Sequence, residues 1–236
     1  MPRSLSAGLT SAVLLVGLLI VGSGSAHAQQ SLVLNLGQFS VRGEDTRIAD
    51  DVLLENLSLF AFDVRDLNNG TAGAEWLFGA GEYFDAGLGA GFYQRTVPSV
   101  YTDFINDNGS EIFQEFRLRV VPLTVTIRVL PFGRNTAVEP YFGVGVGLFD
   151  WRYSEVGEFV DFDTFDVFRD RFTASGREVG GLMLGGLRVP FSDRFSAGFE
   201  VRYQSATGRV GIDQGFLNER IDLGGIVTQV MFQVGF

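Results

Sequence analysis

Five charged residues, Glu75, Arg128, Arg188, Glu200 and Arg202, fall within stretches of alternating hydrophobicity, where a strand would turn them away from their bulky apolar neighbours. Glu200 and Arg202 are two apart, so on a strand they share one face and stack along it. Carboxylates and guanidiniums placed in this way form ion pairs. In a narrow bore such a network either fills space or acts as a gate that opens when partners switch. Filling is the expected role, because a buried charge left alone is costly and charges taken out of water must be paired.

Little else in the chain offers chemistry. There is no Cys and no Lys, all 18 basic residues are Arg, and the one histidine is His27. A disulfide scaffold, a thiolate zinc site and a cysteine nucleophile are therefore excluded. Once His27 is lost with the leader described below, no imidazole remains for proton transfer near neutrality. The chain is expected not to be an enzyme, with no catalytic residue, no metal and no cofactor. A net charge of -10 without an arginine-dense patch argues against nucleic acid as a partner.

An acidic stretch, Glu155, Glu158, Asp161, Asp163, Asp166 and Asp170, invites a calcium reading but lacks the Gly and terminal Glu spacing of an EF-hand loop. It reads better as a solvated loop. Phe159, Phe162, Phe165, Phe168 and Phe172 interleave with the acids at steps of three and four, which would set them on one helical face. Dipping into a lipid leaflet, capping a lumen and meeting a partner all fit them. Ile48, Val52, Leu53 and Leu57, behind the candidate cap Thr46, suggest one short amphipathic helix. Asn108-Gly109 is a turn signal.

The elements that would carry these residues begin after an address signal. Arg3, the apolar run from Ala12 to Val21 and the Ala26-His27-Ala28 ending form a secretory leader, with cleavage expected after Ala28 and Gln29 as the first mature residue. From there on, apolar residues recur at every second position. Leu123, Val125, Ile127 and Val129 alternate with Thr124, Thr126 and Arg128. Phe142, Val144, Val146 and Leu148 alternate with Gly143, Gly145 and Gly147. Phe195, Ala197, Phe199, Val201 and Tyr203 alternate with Ser196, Gly198, Glu200, Arg202 and Gln204. The small and polar partners fit a narrow polar interior, and the large aliphatics need something broad and apolar outside.

The expected strands are 31 to 42, 71 to 82, 84 to 97, 114 to 130, 138 to 153, 177 to 190, 194 to 208 and 221 to 236. Tight turns at 81 to 85, 131 to 137 and 191 to 194 alternate with long loops at 43 to 70, 98 to 113, 154 to 176 and 209 to 220, as in an up-and-down membrane barrel. Leu57 to Val64 is apolar enough to be a strand, so ten strands stand as the alternative to eight. Tyr83, Phe84, Phe132, Tyr141, Trp151, Tyr153 and Tyr203 lie near strand ends, where an interfacial girdle belongs. The alternation slips near Gly37, Pro122 and Gly185-Gly186, for which bulges are the expected cause.

The leader, the alternating segments, the Gly-x-Gly-x-Gly of Gly143 to Gly147 and the ending Met231-Phe232-Gln233-Val234-Gly235-Phe236 resemble the small outer-membrane barrel domain family of Gram-negative bacteria, similar to the OmpA and OmpW barrels. That resemblance implies that Phe232, Val234 and the terminal Phe236 are read as an assembly signal by the outer-membrane assembly machinery. It also implies outer-membrane lipid as the surrounding medium.

The resulting expectation is a cleaved leader over 1–28 and, over 29–236, a single all-β antiparallel up-and-down transmembrane barrel. Its function is expected to be non-enzymatic: a largely filled lumen, envelope-structural or at most a narrow pore. A laterally opening channel for small apolar solutes and a periplasmic lipocalin-like ligand-binding barrel are the alternatives.

Overall fold

The computed structural model describes residues 29–134, 136–211 and 215–236. The expected leader and its cleavage site lie outside the described residues. The strands are β1 (Gln30–Val41), β2 (Asn69–Ala80), β3 (Phe84–Ile105), β4 (Glu111–Val129), β5 (Glu139–Val160), β6 (Val167–Pro190), β7 (Phe195–Ser205), β8 (Thr207–Arg209), β9 (Arg220–Asp222) and β10 (Gly225–Gly235). Eight of them close antiparallel in the ring order β1-β10-β7-β6-β5-β4-β3-β2, and β8 pairs only with β9. The barrel therefore has eight strands. Leu57 to Val64 adds no strand and contributes only an isolated bridge from Phe60 to Tyr101.

Three tight turns at one rim match the sequence reading, but two of the four long loops do not exist. Segments 98 to 113 and 154 to 176 are mostly strand, so that β3, β5 and β6 reach 22, 22 and 24 residues. A tilted strand crosses a bilayer with about 9–11 residues. Roughly half of each of these strands is surplus to the crossing.

The surplus explains the slips in alternation. On β4, every even residue faces inward from Ile112 to Arg128, and the register with β5 runs unbroken from Gln114 to Val129. Below Pro122 the outward residues are Leu123, Val125 and Ile127 and the inward ones Thr124, Thr126 and Arg128. Above it the outward residues are Glu115, Arg117 and Arg119 and the inward ones Phe116, Leu118 and Val120. What reverses is polarity, not facing. Strand β5 does the same between Leu148, outward and exposed, and Phe149, inward and buried, and β1 does so at Gly37, above which Phe39 and Val41 point in. Near Gly185-Gly186 the apparent slip arises because Leu182 and Leu184 are apolar yet inward. None of the three sites is a bulge; the register shift of the ring lies between Val100 and Ile105.

The lower half is thus an inside-out object with an apolar outer belt, for example Leu36, Val144, Val179 and Met183, and the upper half is a conventional water-facing barrel with an apolar core. The expectation of a polar interior holds only for the lower half. The girdle assignment is corrected likewise. Tyr83, Phe84, Phe132 and Tyr203 are exposed, but Tyr141, Trp151 and Tyr153 sit at odd positions of β5 and are buried inside.

The first long loop closes the upper end. Its one α-helix, α1 (Val52–Asn56), starts from Asp51, whose carboxylate accepts the Leu53 amide at 2.9 Å. Thr46, the expected cap, instead donates to Gly43 O in a 3-10 turn before the helix. Val52, Leu53, Phe60, Val64 and Leu67 pack against inward residues of the ring, among them Phe39, Tyr93, Phe116, Leu118 and Trp151. Phe172 packs against the same core and touches Phe159 edge to face at 4.6 Å, so their spacing reflects a hairpin rather than a helical face. Phe162 and Phe165 are exposed at its turn.

The reversal makes a direct prediction. Val144→Arg, in the outer belt, should destabilise the barrel in lipid by ~2–4 kcal/mol, the scale for a midplane arginine. Thr173→Arg, on the same outer surface but above the reversal, should stay within about 0.5 kcal/mol, as for ordinary surface changes. Equal unfolding midpoints in lipid for the two variants would place the belt wrongly.

Candidate functional site

Four of the five charged residues singled out from sequence converge in the lower bore. Arg128 on β4 reaches Glu75 on β2 at 2.5 Å and Glu200 on β7 at 3.0 Å. Arg202 on β7 reaches the same two carboxylates at 3.3 and 2.9 Å. In the ring order β2 and β7 stand three steps apart and β4 and β7 three steps, so these contacts cross the bore. The quartet is charge-neutral, with Glu75, Arg128 and Glu200 buried and Arg202 partly so, and further acceptor capacity is met from the wall. Thr126 donates to Glu75 at 2.8 Å, while Tyr141 and Gln229 donate to Glu200 at 3.0 and 2.8 Å. The Arg128 guanidinium also lies 5.1 Å from the centroid of the Tyr141 ring. These contacts offset the desolvation of the charges, with Arg128 Nε left without a partner among the described residues.

Glycine makes the space. A Cβ at Gly87 would collide with the Glu75 carboxylate and the Thr126 hydroxyl, and one at Gly143 would press on Arg128. Gly143, the first glycine of the Gly-x-Gly-x-Gly run on β5, stands directly opposite Arg128 in the register and leaves it room.

Arg188, grouped with this quartet from sequence, belongs elsewhere. It pairs with Glu139 at 2.6 Å and Asp85 at 3.3 Å, Arg134 also pairs with Asp85, and Gln233 accepts from Arg188 at 3.2 Å. This second neutral quartet sits at the turn rim. Arg188 is two residues from the end of β6, Glu139 begins β5 and Asp85 is the second residue of β3, so all three reach the rim rather than the mid-bore. Sequence reading missed Asp85, Arg134 and Glu139 because they fall in or beside turns, where a charge reads as solvated. Their signal was position: Asp85 and Glu139 stand at the start of strands beside tight turns, and Arg134 lies within one. Leu77, Leu182, Leu184 and Met231 fill the bore around the two quartets.

Above the first quartet the bore retains voids of about 40 and 30 Å³, the larger lined by Asn35, Thr124, Arg202 and Gln204. Beyond the rim quartet lies a vestibule of about 330 Å³ beside Arg134, Glu139 and Arg188. The described residues hold no cluster of His, Cys, Asp and Glu able to bind a metal. Of the assembly-signal residues, Phe232 faces outward and stacks with Phe195 at 5.9 Å, Val234 pairs with Leu32 and Phe195, and Phe236 is exposed beside Trp76 at 5.3 Å.

The upper plug has its own polar lock. Asp51 pairs with Arg47 at 2.7 Å and accepts the Asp222 amide at 3.1 Å, while Arg47 donates to Asp222 O and Arg42 pairs with the Asp222 carboxylate, both at 2.9 Å. Nearby, Glu155 accepts from Asn56 at 2.7 Å and Tyr153 at 2.8 Å and has no cation partner among the described residues. It was read as part of a solvated loop, but it points into the core of the upper half and is buried. Burial pushes its carboxyl above the usual carboxylate range, and burial outweighs Arg47 in doing the same to Asp51. A raised carboxyl binds its proton more tightly in the folded state. The contribution of these two groups to plug stability is therefore greatest below the ordinary carboxylate pKa and falls as pH rises from there through the raised values. Glu155→Gln should remove part of this dependence, so its urea midpoint, followed by Trp151 fluorescence in a Trp76→Phe background, should gain on the parent as pH goes from 4 to 8. A gap that does not change with pH would show that Glu155 does not titrate there.

No family model matches the chain, and no curated protein matches it. Among solved structures, it is similar to Neisserial surface protein A (9% identity, 88% of this chain and 97% of that one, TM-score 0.46). It is likewise similar to the outer membrane protein W of E. coli (15% identity, 89% and 100%, TM-score 0.42) and to the N-terminal β-barrel domain of Pseudomonas aeruginosa OprF (9% identity, 88% and 97%, TM-score 0.41). The architecture itself is carried by the closed ring of eight strand pairings.

Proposed function

We propose that the chain is a non-enzymatic outer-membrane barrel with a closed bore, contributing to envelope structure and presenting its upper half outside the cell, rather than a solute pore. The observation that carries this reading is the cross-bore quartet of Glu75, Arg128, Glu200 and Arg202, sealed above by an apolar plug. Eight strands make a diameter that side chains can just fill, which supports this reading. The apolar outer belt speaks against a lipocalin-like barrel, which would turn that face inward. Continuous pairing of β2 with β3 from Thr71 to Ala80 and of β5 with β6 speaks against a lateral opening in those walls. The leader and the final strand support export and insertion, with Phe236 as the part read by the assembly machinery.

Glu200→Gln decides between filler and gate. It removes one carboxylate from two buried guanidiniums, and the scale for breaking such a pair is ~3–5 kcal/mol. The expected outcome is a lower unfolding midpoint with no steady conductance in planar bilayers. A variant of near-parental stability that conducts clearly would make the network a gate and the protein a channel.

Removal of Phe236 tests the assembly role. Folded barrel in cells should fall, while refolding in detergent changes less. Unchanged cellular levels would remove Phe236 from that role.

A further inference from the structure

Just above the polarity reversal, the outer wall of β4, β5 and β6 gathers Arg117, Arg119, Arg152 and Arg177. Arg119 is directly opposite Arg152 in the register, and Asp150 directly opposite Arg177. Asp150 is shared between Arg119 at 3.3 Å and Arg177 at 3.0 Å, and Arg117 donates to the Thr96 hydroxyl at 3.0 Å and lies 4.0 Å from Glu115. Arg152 is exposed and makes no hydrogen bond or ion pair among the described residues. The wall is concave here, with a depression of about 590 Å³ lined by Arg119, Asp150, Trp151, Arg152, Ser175 and Arg177.

One buried donor at this depression also lacks an acceptor, Arg119 Nε. Buried donors are rarely left unpaired, and a site that offers donors in excess calls for an acceptor-rich anion. Arginine forks suit phosphate oxygens in particular. The height of the site fixes where such an anion would come from. Arg119 is one outward position above Val121, Arg152 two above Leu148 and Arg177 one above Val179, the last apolar residues of the belt. One outward position is about 7 Å along a strand, the distance from the edge of the hydrocarbon to the headgroups.

We infer that this depression binds the phosphate-monoester headgroup of a lipid in the leaflet on the plug side, with Arg119, Arg152 and Arg177 holding the phosphate. The inference rests on the transmembrane reading of the lower belt. A free phosphate shares the chemistry but not the position, since nothing then ties the site to the edge of the apolar belt.

The test uses the refolded full barrel in phosphatidylcholine vesicles, alone or doped with phosphatidic acid, whose headgroup is a phosphate monoester, or with phosphatidylserine, which carries similar charge without a free phosphate. Flotation reports insertion, and the loss of the compact gel band on heating reports stability. Phosphatidic acid should raise the midpoint of the parent more than phosphatidylserine does. Arg152→Gln with Arg177→Gln should lose most of that rise, with binding weaker by about tenfold or more, the order expected for losing charge-assisted contacts to phosphate. Both side chains are exposed, Arg177 at 73%, so folding should survive the change. Arg169→Gln with Arg171→Gln, an equal charge change higher on β6, should keep the rise.

An equal loss in both double variants, or equal effects of the two anionic lipids, would reduce the patch to nonspecific charge and overturn the inference. So would a matching rise with inorganic phosphate in plain phosphatidylcholine. A barrel that fails to float with vesicles would instead overturn the membrane reading on which the inference stands.

Discussion

Everything in the lower half of this barrel depends on how its bore is filled. An eight-stranded ring is too wide to close by backbone contact and too narrow to hold bulk water, so inward side chains must meet across it. This chain meets the demand with Arg128, whose length and planarity let one residue touch carboxylates on two other strands. Its presence imposes the rest: glycines opposite it to leave room, Thr126, Tyr141 and Gln229 to satisfy the carboxylates, and Arg202 to balance the charge. Arg128 Nε is left without a partner, the one gap in an otherwise closed set.

The upper half solves a different problem with the same strands. Above the belt, water surrounds the wall, and the ordinary rule of apolar inside and polar outside returns. The long first loop supplies the mass that eight strands cannot, and Asp51, Arg47, Asp222 and Arg42 fasten it to the ring. Two solvents, one on each side of a single level, thus dictate two opposite sequence patterns on continuous strands.

That is also why the sequence was legible only in part. Strand count, ring topology and the facing of β4, β5, β7 and β10 in the belt follow from alternation, since lipid outside and small residues inside leave an unmistakable period of two. The upper strands did not read as strands because their pattern is inverted and Phe159 to Phe172 mix apolar and acidic residues at no steady period. Gly37 and Pro122 looked like bulges for the same reason: a change of solvent, seen along one strand, mimics a change of phase. The mid-bore quartet could be read because its members lie on clean alternating segments. Asp85, Arg134 and Glu139 could not, because a charge beside a turn looks solvated until the ring closes over it.

The level at which polarity reverses also acts on strand registration. Simple alternation forbids sliding a strand by one residue, because every side chain would change sides, but it is nearly blind to sliding by two. Here a two-residue slide would carry Arg119 into lipid or lift Leu123 into water, since the boundary on β4 must stay level with those on β3 and β5. The reversal thus serves as a vernier. It grades each strand along its length and leaves one alignment of the sheet in which all the marks coincide.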